Sequence, residues 1–471
     1  MNATHNNGHT RTVEEKRALL KRLLEENPVR AYNVSNRDVE QPPAPVASRN
    51  DWDDIPVENY VFERSPEYLN LATQMDAAAA IGIEYPFFKV VEPINGAVAR
   101  VNGRQCINFS GYNYLGMSGD PVVSRAAKDA IERLGTSASA SRLVAGQRPI
   151  HLELENALAD HLGTEDALSF VTGYLTGVTT IGHLFKPGDL IVHDALIHNC
   201  TLIGSKLSGA RTVAFPHNDA DALERILREL RGKHRRVLIL AEGIYSMDGD
   251  IADLPRMIDL KRRFKAFLMV DEAHSIGVLG RTGRGVTEHF GVDPREVDLL
   301  MGTLSKAMGS CGGYIAGNRA LIDYLRHTVP GFVYSVGMPP PVAAAALAAL
   351  RLLRDEPQRI YRLRDLSRLF LLEARARGLN TGSSRDTPII PVIVGDSRRC
   401  GLLAQALYLR GINIQPIIFP AVEDRASRLR VFVTCLHTER EVTSTVDAVV
   451  EELKRLGDQS LFRGRKNSES E

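Results

Sequence analysis

FLMVDEAHSIGVLGRTGRG (Phe267–Gly285) and, a few residues on, DLLMGTLSKAMGSCGG (Asp298–Gly313) decide how this chain reads. Phe267 to Val270 is an apolar, β-prone run that stops at Asp271, Glu272, Ala273 and His274. Leu299 to Met301 is a second such run, and it stops at Gly302, Thr303, Leu304, Ser305 and Lys306. Short apolar runs ended by polar and glycine residues read as buried parallel strands. In sheets of that kind chemistry gathers at the carboxyl ends of the strands. The two runs are therefore expected to deliver an acid, a histidine and a lysine to one rim.

That trio suits a pyridine aldehyde cofactor. Pyridoxal phosphate needs a lysine amine for its aldehyde, an anion beside its ring nitrogen, and donors for its phenolate oxygen and phosphate. Asp271, His274 and Lys306 match those needs. Taken singly, an Asp at a strand end is as readily a cap or turn residue, and a lone Lys sits in solvent. Together, with Gly309, Gly312 and Gly313 behind the lysine, they favour the cofactor.

The same stretches resemble the α-oxoamine synthases, fold-type I pyridoxal-phosphate enzymes that join an amino acid to an acyl thioester and release carbon dioxide. Further matches are NFSGYNYLGMSGDP from Asn108, GTSASASRLVAGQRPIHLELE from Gly135, the run from Phe170 to Ser205, and EGIYSMDGDIADL from Glu242. The resemblance spans roughly Tyr85 to Leu456. It implies an α/β fold: a mostly parallel central sheet flanked by helices, with a smaller α+β C-terminal domain. It also implies a homodimer with shared active sites, and no metal.

Residue by residue, the resemblance implies that Lys306 holds the cofactor and moves the amino acid's α-proton. Asp271 serves the ring nitrogen and His274 the phenolate oxygen, while His198 stacks on the ring. Gly173 and Tyr174 serve the phosphate from the start of a helix, where backbone N–H groups favour an anion; an ordinary βα turn is the alternative there. Ser246 and Thr303 are further cofactor contacts. Arg430, in RLRVFVTCLHT, grips the substrate carboxylate, a task suited to a fork-shaped cation. Asn113 and Tyr114 lie near the substrate in the family, though by residue type they equally suit a turn and a core position.

Two features bear on the acyl donor. SASASR (Ser137–Arg142) and the early helix EKRALLKRLL resemble polyketide-associated members, which take acyl groups from a carrier protein. A carrier-bound thioester is the expected donor, with acyl-coenzyme A as the alternative. The amino acid is glycine, alanine or serine. Two departures stand out. Two positions after Tyr334, where the family often carries a hydroxyl in the segment crossing to the partner subunit, stands Val336. Serine palmitoyltransferases carry a second arginine before a proline pair; here that place reads Ile414-Gln415-Pro416, which argues against a close copy of that subgroup.

The 471 residues suffice for more than one domain. A hydrophobic share of 44% and a charged share of 24% are those of a globular enzyme, and a formal net charge of +1 gives no field favouring nucleic acid or an anionic membrane. The five cysteines show neither a disulfide framework nor a zinc spacing, which suits a reduced cytoplasmic setting. The apolar run Pro341–Leu350 is too short to span a bilayer. In order, the chain reads as an N-terminal extension and linker (1–50), an arm (51–110), a large cofactor domain (111–345), a small domain (346–460) and a tail (461–471). Within the extension, Thr12–Glu26 carries a capping box and leucines at helical spacing. It reads either as an arm folded on the body or as a docking helix.

Overall fold

The computed structural model describes residues 52, 54–80, 85–419 and 421–457. The helix expected over Thr12–Glu26, the linker after it and the tail from 461 lie outside the described residues. The chain divides into two compact units, Met1–Gln74 and Met75–Glu471. In the first, single turns at Val57–Asn59 and Phe62–Arg64 precede the start of a helix, Pro66–Ala80.

The second unit opens on β1 (Val91–Glu92), β2 (Val98–Val101) and β3 (Arg104–Asn108). β2 and β3 form the hairpin expected from Asn102-Gly103, and both turn residues have positive φ (45° and 79°). Strand and helix then alternate: β4 (Asp166–Phe170), β5 (Leu190–Asp194), β6 (Arg211–Phe215), β7 (Val237–Glu242), β8 (Phe267–Asp271), β9 (Leu299–Thr303) and β10 (Gly313–Gly317). They form one seven-stranded sheet in the order β4-β10-β9-β8-β7-β5-β6. From β6 to β9 every neighbour is parallel, whereas β10 runs antiparallel to both β9 and β4. The connection from Thr303 to Gly313 is too short for a parallel crossover, so the chain turns straight back. The sequence showed Gly312 and Gly313 as close-packing glycines, not as the opening of a strand.

The central strands are apolar on both faces because both are covered. β5, β7, β9 and β10 are buried along their whole lengths. Helix Pro340–Asp355, which contains the alanine-rich run, packs on helices Pro121–Leu134 and Pro149–Leu162. Its alanines let the axes approach closely. Among the described residues no helix is long and apolar enough to cross a membrane.

After helix Gln358–Ala376 come β11 (Ile389–Ile393), β12 (Ile412–Asn413), β13 (Gln415–Ile417) and β14 (Arg428–Phe432). β11, β14 and β13 form an antiparallel sheet, and β12 adds to β3 in parallel. β14 sets Arg430 opposite Pro391 and Gln415.

Arg142, from the SASASR stretch, is buried. It grips both oxygens of Glu155, and Glu155 also accepts from the Ser169 N–H and hydroxyl on β4 (2.7 and 2.9 Å). The guanidinium lies 5.0 Å over the Phe332 ring. This bidentate pair ties the 137–146 loop to the sheet edge. Removing one partner leaves a buried charge alone, which costs about 3–5 kcal/mol. Arg142→Ala should lower the free energy of unfolding by that amount in a urea titration.

Candidate active site

β7, β8 and β9 bring Glu242, Asp271 and Met301 into one row, since Glu242 is in register with Asp271 and Asp271 with Met301. All three line a cavity of about 440 Å³ at the carboxyl ends of the strands, with Thr303, Ser305 and Lys306 just beyond. Strand alternation sends the neighbouring acid elsewhere: Glu272 is buried against Ser275 and the Val286 N–H. Burial lifts Glu272 to about 7, with the Ser275 hydrogen bond opposing.

Lys306 Nζ stands 3.0 Å from His274 Nε2, and the Tyr114 hydroxyl stands 2.8 Å from Nδ1 of the same ring. A neutral imidazole offers one donor and one acceptor. An ammonium only donates, so Nε2 accepts from Lys306 and Nδ1–H points to Tyr114. A hydroxyl works in either sense, so the ring can exchange tautomers and keep its partner. Burial pushes the Lys306 amine below the usual lysine value, against the pull of Asp271 and Glu242. Burial also holds His274 well below the usual histidine value, and the Lys306 and Arg430 charges add to this. Glu242 is lifted well above the carboxylate range by burial and by the Asp271 charge.

His198 caps helix Asn199–Ser208 and lines the cavity opposite. Gly173 and Tyr174 open helix Gly173–Leu184, which Thr172 caps through the Leu175 N–H. The N–H groups of that first turn have no acceptor within the helix. A Cβ on Gly173 would lie 2.7 Å from the Thr303 hydroxyl, so glycine is needed for the approach. Ser246 lines the same wall, with its N–H on Glu242 Oε2 (3.1 Å).

Arg430 closes the cavity from β14. Its Nη1 reaches the Ser246 carbonyl at 3.4 Å, its Nη2 reaches the Tyr112 hydroxyl at 3.3 Å, and its buried Nε has no partner among the described residues. Nη1 also reaches Met247 Sδ at 3.2 Å, and these weak contacts can yield to a carboxylate.

The structure thus gathers Lys306, His198, Asp271, His274, Gly173, Tyr174, Ser246, Thr303 and Arg430 around one cavity. Asn113 and Tyr114 are placed differently. Asn113 bonds Ser118 through both ends of its amide, and Tyr114 is fully buried behind His274. Tyr112 is the residue of that segment that lines the cavity. The turn at 112–116 faces Tyr112 outward and Tyr114 into the core, a choice the letters GYNYLG do not reveal. Cys200 and Cys311 also line the cavity, and neither stood out in the sequence.

The residues fit pyridoxal phosphate. The volume suits a cofactor of that size. The donor set offers an amine, a carboxylate, a neutral imidazole and a glycine-opened helix start, and the buried Arg430 Nε still lacks an acceptor.

Comparison with known proteins agrees. The family described as aminotransferase class I and II matches residues 104–449. The chain is 37% identical over 375 residues to the 8-amino-7-oxononanoate synthase of Thermoanaerobacter pseudethanolicus, covering 80% of this chain and 93% of that protein. It is 41% identical over 357 residues to the corresponding enzyme of Symbiobacterium thermophilum, covering 76% and 91%. Among solved structures it resembles a serine palmitoyltransferase of S. paucimobilis with PLP and myriocin bound. That match has 30% identity and a TM-score of 0.80, covering 83% of this chain and 98% of the other. The Sphingomonas wittichii serine palmitoyltransferase matches at 31% identity and a TM-score of 0.79, with the same coverage. The chain belongs to the aminotransferase class I and II family and, within it, to the α-oxoamine synthases, pyridoxal-phosphate-dependent acyltransferases of fold-type I.

A charged cluster beneath the rim supports the His198 loop. Asp194, at the end of β5, accepts from the Leu196 N–H, the Tyr245 hydroxyl and His217, and His217 also bonds Asp250 (2.9 Å to each acid). Burial alone would lower His217, but the two acids outweigh it and raise it to about 10. A raised histidine contributes stability that is fully present below its unfolded value of about 6.5. That contribution is lost as pH rises through about 10. The stability difference between wild type and His217→Gln, read from urea midpoints, should therefore shrink as pH climbs from 7 to above 10.

Proposed function

We propose that this enzyme condenses a small amino acid with an acyl-coenzyme A thioester, losing carbon dioxide and releasing an α-aminoketone. The reading rests on one observation: the part-buried Arg430 guanidinium, whose Nε has no partner among the described residues, lines the same cavity as Lys306 and Asp271. The 8-amino-7-oxononanoate synthases and serine palmitoyltransferases it resembles support the coenzyme A donor over the carrier-bound donor expected from SASASR.

Bound in the cavity, pyridoxal phosphate supplies an electron sink for the negative charge left at an amino acid's α-carbon. The chain's own residues do the rest. Lys306 would hold the aldehyde and, once freed from it, would take the amino acid's α-proton; burial lowers its basicity toward that task. Asp271 would stand beside the ring nitrogen, His274 would donate to the phenolate oxygen, and His198 would cover the ring face. Gly173, Tyr174, Thr303 and Ser246 serve the phosphate and neighbouring oxygens. Arg430 holds the substrate carboxylate, with Tyr112 beside it. Because these groups are already oriented around one cavity, they need little reorganisation as charge develops.

Mass spectrometry of products from glycine, alanine and serine, each offered with acyl-coenzyme A and with acyl-carrier donors, tests the reading. A coenzyme A-dependent aminoketone is expected. Lys306→Ala should lose both cofactor retention and carbon dioxide release. Arg430→Lys should raise the amino acid KM by roughly 10- to 100-fold, the worth of about 1.5–3 kcal/mol for a charged hydrogen bond. Amino-group exchange with a keto acid and no thioester requirement would overturn the assignment.

The protein is also inferred to act as a homodimer. Val144 and Tyr334 are 82% and 81% exposed, and Leu143 and Val336 flank them. A bridge between Ser141 and Val336 and a hydrogen bond from Gly337 N–H to Ala140 O hold the two segments together. Such an apolar patch marks a contact surface. Sedimentation equilibrium should give twice the chain mass, and Val144→Glu should shift it toward the monomer; a monomeric wild type would refute the inference.

A further inference from the structure

We infer that this cavity, in the chain without its cofactor, binds a thiophilic divalent cation of the zinc type through Cys200 Sγ, His198 Nδ1 and an Asp271 oxygen, and that cation and cofactor exclude each other. The exclusion rests on the reading above that Asp271 and His198 serve the cofactor.

The three ligand atoms all lie within 4.8 Å of one another, and Sγ and Nδ1 are 3.0 Å apart. Thiolate, imidazole and carboxylate form the donor set that zinc and cobalt accept, and three protein ligands leave a fourth position open. Cys200 is 1% and Asp271 5% exposed. One Asp271 oxygen accepts the Ala273 N–H at 2.9 Å, leaving the other available.

A second observation points the same way. Glu242, 2% exposed and lining the same cavity, buries Oε1 with no partner among the described residues. Glu242 also takes the Ser246 and His198 N–H groups, which sets a second acid beside Asp271 and the His198 loop. Space for the sulfur comes from Gly177, where a Cβ would stand 3.0 Å from Sγ. The opposing terms are the Lys306 amine and the Arg430 guanidinium, which face the same space, burial and the Asp271 charge, which push the Cys200 thiol up, and the Cys200 N–H bond to His198 Nδ1 (3.2 Å), which coordination replaces. Coordination forms a metal–sulfur bond and releases the thiol proton to solvent. No step of the proposed reaction uses Cys200.

The test uses the full-length chain stripped of pyridoxal phosphate by an amine reagent. Cobalt(II) is the spectroscopic probe, zinc is measured by competition, and cofactor rebinding is followed with and without zinc. A sulfur-to-cobalt charge-transfer band should appear in wild type and in Cys311→Ser, whose thiol lines the same cavity, and be absent from Cys200→Ser. Zinc should bind Cys200→Ser about 100-fold more weakly, since even loss of a ligand's supporting partner costs about 10- to 100-fold. Zinc should raise the apparent dissociation constant of pyridoxal phosphate about tenfold or more in wild type and much less in Cys200→Ser. Unchanged cofactor affinity of Cys200→Ser without metal shows that it folds. A band that survives in Cys200→Ser, or zinc and cofactor binding together without mutual effect, would overturn the inference. A cobalt band that follows Cys200 in a chain taking up no pyridoxal phosphate would uphold the metal site and overturn the cofactor reading.

Discussion

Burying an acid and an amine in one cavity is the constraint to which the rest of the molecule answers. Asp271 is buried and Lys306 part-buried on that cavity, and a charge there is costly unless it is met. The sheet meets it by register. Adjacent parallel strands end at the same level, so the acid of β8 and the loop after β9 arrive together. Burial weakens the lysine's hold on its proton, while Asp271 and Glu242 strengthen it.

The surroundings keep these few groups from relaxing away. Tyr114 fixes His274 from behind, and Cys435 N–H in turn bonds the Tyr114 carbonyl, so a residue from beyond β14 buttresses the cavity histidine. Asp194, His217, Asp250 and Tyr245 lock the turn that presents His198. Arg142 and Glu155 hold the far edge of the sheet through β4. Arg428, next but one to Arg430, bonds Asp248, which ties β14 to the turn after β7 and sets the depth of the Arg430 fork. These supporting pairs steady the strands and turns from which the cavity is built.

Much of this was legible in the letters. Apolar runs halted by polar residues marked β7, β8 and β9, and Asn-Gly marked the hairpin, because those signals are local. Lys306, Asp271 and His274 could be named because they stand at strand ends, where the fold collects chemistry. β10 was not legible: a glycine-led strand that pairs antiparallel on both sides has no periodicity of its own. Tyr112 was passed over for its neighbours, since three polar and aromatic residues in one turn do not say which faces the cavity. Cys200 looked like any helix-start residue, because its importance comes from His198 and Asp271, one of them some seventy positions away in the chain.

The sequence by itself determined the α/β alternation, the family and the cofactor class, since each depends on residue types in local motifs. Tertiary structure alone decided the Glu242–Asp271–Met301 row, the reversal of β10, the pairing of Tyr114 with His274, and the meeting of Cys200 with His198 and Asp271. These depend on strand register and side-chain direction, which are set by the packing of segments far apart in the chain and leave no mark in any one of them.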